Sequence, residues 1–176
     1  MKIDFKTLKM MELRGSPGEV LDRVARNGDV FIVERNGRPK ACLVPVSFLL
    51  PDIAPDRLVS ELDKLDGNGE SYKLTINDRK EIEISCLETV VSDNVIISIV
   101  LPHGYPNAAP RIYAERVQPD APHRWPDGSL AIFGALAAWN VKSHDASYAL
   151  SLARAWLKSY TKWRSTGAWP ETTELT

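Results

Sequence analysis

The chain has 176 residues, 44% of them apolar and 26% charged, with a formal net charge of −1. That balance excludes collagen-like and wholly disordered chains, and the length suffices for one large domain or two small ones. No apolar run approaches the roughly 18 residues that span a bilayer, and residues 1–6 lack a signal-peptide core, so a cytoplasmic location with no membrane contact is expected. Two cysteines, Cys42 and Cys86, make neither a disulfide framework nor a zinc ribbon. The net charge divides unevenly: residues 1–50 hold nine Lys/Arg against six Asp/Glu, or +3, and residues 51–176 hold 13 against 17, or −4. A basic segment ahead of an acidic one points weakly to a nucleic-acid contact near the N-terminus, because phosphate binding needs local positive charge whatever the total.

After a short opening segment, Ser16-Pro17-Gly18-Glu19 has the spacing of a capping box with proline in the first turn, and predicts a helix start. Leu13, Val20, Leu21 and Val24 form its apolar stripe, and Asn27-Gly28 ends it. Val30-Phe31-Ile32-Val33 reads as a strand, Asn36-Gly37 as a tight hairpin turn, and Ala41-Cys42-Leu43-Val44 as the returning strand. The expected unit is strand, helix, hairpin. Two prolines, Pro51 and Pro55, mark residues 51–56 as a linker.

Leu58, Leu62 and Leu65 then predict a helix closed by Asp66-Gly67-Asn68-Gly69. Strand-like runs follow at 71–76, 81–87, 94–101 and 111–115, joined by connections too short for crossover helices, so an antiparallel meander is expected. Residues 102–139 are irregular and hold six of the 12 prolines, the mark of a functional loop region. Ala149, Ala153, Trp156, Tyr160 and Trp163 recur at helical spacing and predict a last helix near 144–164, with Asp145 as its cap or first-turn acid. The fold class expected is α+β.

Glu12-Leu13-Arg14, Val20-Leu21-Asp22-Arg23-Val24, Gly28, Phe31-Ile32-Val33, Arg35-Asn36-Gly37-Arg38-Pro39 and Cys42-Leu43-Val44-Pro45 follow one another in a register by which residues 1–50 resemble the Phd/YefM antitoxin family. The resemblance implies a homodimer formed through the sheet, whose paired N-terminal regions bind operator DNA and repress their own operon. Carried over residue by residue, Lys9, Arg14, Arg35 and Arg38 are the expected DNA contacts, the arginine fork suiting both phosphate and guanine edges. The alternatives are that these cations sit on a solvated face, or that the unit only dimerises. The toxin-wrapping tail usual in the family is replaced by a second folded domain.

The second domain is expected over residues 57–176. In it Tyr105-Pro106 with Pro110, Asp127-Gly128-Ser129-Leu130, Trp139 and the closing Trp163-x-x-Thr166-Gly167-x-Trp169 carry a likeness: about residues 55–170 resemble ubiquitin-conjugating enzymes, especially bacterial forms that work beside nucleotide-signalling defence enzymes. Where that family has its thioester-forming cysteine this chain has Ala131; a histidine, His123, is kept upstream, but not the family's asparagine. A methyl group cannot be deprotonated to attack a thioester. The resemblance therefore implies a catalytically dead domain that binds a protein partner, a toxin or a defence enzyme, with Trp125, Tyr105 and Ile132 as contacts. The alternative is an active conjugating enzyme of an antiphage system in which cysteine has been replaced at 131.

Other chemistry is sparse. Cys42 and Cys86 lie in alternating apolar strands and are expected to be buried, inert thiols. His103, His123 and His144 lack ligand spacing, so no metal or other cofactor is expected. No Gly-rich phosphate loop and no nucleophile elbow is present. Asp127-Gly128 reads equally as a turn. Trp156 and Trp163 fit a core and Trp125 a surface.

Overall fold

The computed structural model describes residues 4–49, 53–90 and 93–170. The chain divides into two compact units, Met1–Pro51 and Asp52–Thr176. The described residues form a three-stranded sheet, a four-stranded sheet and five helices, a mixed α+β architecture.

In the first unit β1 (Phe5–Lys9) runs parallel to β2 (Val30–Arg35), and β3 (Arg38–Leu43) returns antiparallel, in the order β1-β2-β3. Parallel strands need a crossover. Two helices supply it: α1 (Met10–Gly15) and α2 (Pro17–Asn27). Val20 and Val24 of α2 bury against Leu8, Phe31 and Val33, and Met10, Leu13 and Leu43 pack around them. Gly28 at φ +70 ends α2, and Asn36 and Gly37, at φ +55 and +68, make the hairpin turn the Asn-Gly pair favours.

Three expectations for this unit need correction. The opening segment holds a helix, α1, which six residues are too few to announce by periodicity. Ser16 precedes α2 but makes no side-chain cap, and its amide closes α1, donating to the Glu12 carbonyl at 3.2 Å. The reciprocal capping contact belongs to α1, where the Glu12 carboxylate accepts from the Lys9 amide at 2.9 Å. Cys42 is exposed, not buried. It pairs with Ile32 on the sheet face opposite α2. A four-residue helix, α3 (Val46–Leu49), also follows Pro45.

In the second unit β4 (Tyr72–Ile76), β5 (Ile82–Val90), β6 (Asp93–Leu101) and β7 (Arg111–Ala114) form the antiparallel meander in sequence order, flanked by α4 (Pro55–Gly67) and α5 (Ala146–Thr166). Alternation puts Ile82, Ile84, Cys86, Ile97, Ile99 and Ile112 into the core, with Ala149, Ala153, Trp156 and Leu157 of α5. α4 begins at Pro55, inside the expected linker, because a proline fits a first helical turn; residues 51 and 52 of that linker lie outside the described residues. Asp145 caps α5 as expected, accepting from the Tyr148 amide at 2.8 Å. Trp156 is fully buried, whereas Trp163 is half-buried against Tyr160. Residues 102–139 contain β7 but otherwise only two isolated bridges, Arg124 with Leu130 and Phe133 with Ala137. No helix among the described residues is long and apolar enough to cross a membrane.

Candidate functional site

The short helix α1 leaves the end of β1 beside the β2–β3 turn, and this brings separated cations together. Lys9, Met11, Arg14, Glu34, Arg35 and Asn36 line one groove of about 380 Å³. Arg38 lies outside it but pairs with Arg35 across the hairpin. Lys9, Arg14, Arg35 and Arg38 are all exposed, and none of them forms an ion pair among the described residues. Lys6, Arg23 and Arg26 differ, whereas exposed Lys40 of β3, like the groove cations, forms no ion pair among the described residues. Lys6 and Arg23 both grip Asp29, at 2.6 and 3.0 Å, and Arg26 lies 3.8 Å from Asp22. The Lys6 hydrogen bond, with help from Arg23, holds the Asp29 carboxyl below its ordinary range. Internal pairing thus cancels charge on the α2 side and leaves it free around α1 and the turn. Glu34 is the one carboxylate of the groove, so the balance there stays positive. Such a balance of charge favours anions over cations. Met11 and Asn36 were not foreseen from sequence: a methionine in a six-residue helix carries no periodic signal, and Asn36 reads first as a turn residue.

In the second unit Ala131 is buried, its amide donating to the His123 carbonyl at 2.8 Å, while the Leu130 amide donates to Ile112 of β7 at 2.7 Å. The preceding residues close a tight turn. The Gly128 amide donates to the Trp125 carbonyl at 2.9 Å, and Arg124 Nε and Nη2 donate to the Gly128 carbonyl at 3.2 and 3.0 Å. Gly128 sits at φ +85, where a Cβ would also press on Arg124. The Ser129 hydroxyl at 2.6 Å and its amide at 3.0 Å donate to Asp127, which lowers that carboxyl's pKa. Asp127-Gly128 is therefore a turn. The His123 ring lies 4.9 Å from the Trp169 ring, and Trp139 Nε1 donates to the Pro106 carbonyl at 2.7 Å. These contacts build the loop region rather than expose reactive atoms.

Of the three residues expected to meet a protein partner, only Trp125 is exposed, at 43%. Tyr105 and Ile132 are 1% and 2% exposed and have no surface to offer, which corrects that expectation. Tyr105 is spent on an internal network. Its hydroxyl donates to Glu61 Oε1 at 2.5 Å and accepts from Arg57 Nη2 at 3.1 Å, and burial first, then Glu61, pushes its pKa up. Glu61 also accepts from Arg57 Nε and from the Ala146 amide, each at 2.5 Å. The buried Cys86 thiol is pushed up to about 11, chiefly by burial, which keeps it protonated and unreactive. No group of three or more His, Cys, Asp or Glu among the described residues is placed to hold a metal ion.

No protein-family model matches the chain, and no curated protein and no solved structure matches it either.

Proposed function

We propose that the chain is an antitoxin-like transcriptional repressor: its first unit binds operator DNA as a homodimer, and its second unit is a catalytically inactive, conjugating-enzyme-like scaffold for a protein partner. The observation that carries the DNA-binding reading is the convergence of Lys9, Arg14 and Arg35 on one groove, with Arg38 beside them, all without ion pairs among the described residues, whereas Lys6, Arg23 and Arg26 are paired. A polyanion is the ligand class that rewards several uncompensated cations at once. The dimer reading is supported by the sheet face opposite α2, where Phe5 and Cys42 are exposed beside half-buried Ile32. A unit with so few buried core side chains gains from covering it. The partner reading rests on exposed Trp125, and the toxin–antitoxin or defence setting on resemblance.

The test is binding of the full chain to the duplex upstream of its own coding sequence over a range of salt. Affinity should fall steeply as salt rises, and Arg14→Ala with Arg35→Ala should flatten the log–log slope by about 2, near 0.9 for each phosphate no longer neutralised. Binding that is absent or indifferent to salt would sink the reading.

A further inference from the structure

We infer that Met11 contacts a thymine methyl group in the major groove of the DNA held by the first unit, so that it contributes sequence preference where the cations contribute affinity. The inference rests on the DNA-binding reading above. Met11 is 79% exposed, more than any other large apolar side chain described. Its neighbour Met10 also lines the groove but is partly buried against the core with Leu13, so Met11 is the methionine that α1 holds furthest out. Met11 and Arg14 are three residues apart and therefore adjacent on the helix surface. Both line the groove that Lys9 and Arg35 complete.

An apolar tip ringed by unpaired cations matches the section of a duplex groove, with phosphates at its rims and base edges at its floor. The major groove is the one wide enough to admit a helix, and its distinctive apolar feature is the C5-methyl of thymine. A flexible, polarizable thioether suits contact with such a small group. Phosphate contacts fix register but carry no sequence information, and a thymine methyl offers an arginine fork nothing to hydrogen-bond, so an apolar side chain is the group suited to read it.

The experiment replaces thymine by deoxyuridine throughout the upstream duplex, which removes the methyl groups and keeps every hydrogen-bonding edge. Wild-type affinity should fall about fourfold for each methyl group that Met11 had covered. Met11→Ala should bind the thymine duplex that much more weakly, with an unchanged salt slope, and be indifferent to the replacement; Met11→Leu should recover most of the loss. Equal sensitivity of wild type and Met11→Ala to deoxyuridine would overturn the inference. So would an effect of Met11→Ala exerted through DNA bending or through the oligomeric state. Salt-independent or absent binding by the wild type would instead sink the DNA-binding reading itself, and so the two failures are distinguishable.

Discussion

Glu61, only 1% exposed, would be costly in the core if its charge lacked partners, and its two oxygens show why it is tolerated. Oε1 takes the Tyr105 hydroxyl and Arg57 Nε, and Oε2 takes the Ala146 amide. Arg57 extends the network to the Val141 and His144 carbonyls at 3.2 and 2.7 Å, so one ion pair ties α4 to the entry of α5. Tyr105→Phe should cost about 1–3 kcal/mol in urea denaturation, since it removes a donor to a buried carboxylate without changing the ring. A cost within error would mean that water replaces the hydroxyl. Ala131 invites the second substitution. Its methyl is buried, and His123 offers it a carbonyl, the imidazole ring being against Trp169. A thiol there would lack both access and a base. Ala131→Cys should therefore form no reductant-sensitive adduct when given an activated ubiquitin-like protein; a thioester band on a non-reducing gel would restore the enzymatic reading.

The entry of α5 couples charge to an element's stability. Asp145 accepts the Tyr148 amide and receives Lys64 Nζ at 2.7 Å. Burial acts to raise its pKa, but Lys64 and the capping amide outweigh that and leave it lowered. A carboxyl with a lower folded than unfolded pKa contributes stability above its unfolded value, and that contribution is lost as pH falls through the folded one. Stability should therefore decline below about pH 4. Asp145→Asn keeps an acceptor for the cap but cannot titrate. It should lie within about 1 kcal/mol of wild type at pH 7, Lys64 being over half exposed, and lose stability less steeply in acid urea titrations. Parallel acid limbs in the two proteins would assign the acid loss to Glu70, Glu81 and Asp127, which are also lowered. At this scale the meander, the Asn36-Gly37 turn and α5 were legible, because alternation, turn chemistry and helical spacing each occupy consecutive residues. Helix α1 was not, and neither was the burial of Glu61 in a stripe otherwise marked by leucines. The first is too short for a period, and the second depends on Tyr105 and Ala146, which are distant in sequence.

Across the whole molecule, a net charge of −1 would by itself argue against DNA, yet its distribution argues the other way. Several arginines of the second unit are held internally: Arg154 bonds both Glu70 and Glu88 at 2.6–2.9 Å, Arg111 bonds both oxygens of Glu81 at 2.7 Å, and Arg164 bonds Asp93 at 2.8 Å. An arginine so held gives up little to an incoming phosphate, whereas Arg38 has no carboxylate partner among the described residues to release. Pairing state, more than net charge, should therefore decide which arginines shape DNA affinity. Arg38→Ala should lower the salt slope of binding by about 0.9 and leave urea stability unchanged. Arg154→Ala should do the reverse, weakening the second unit by stranding Glu70 and Glu88 while the salt slope stays where it was. If Arg154→Ala shifts the slope as much as Arg38→Ala does, the DNA footprint extends onto the second unit, and the assignment of binding to the first unit alone fails.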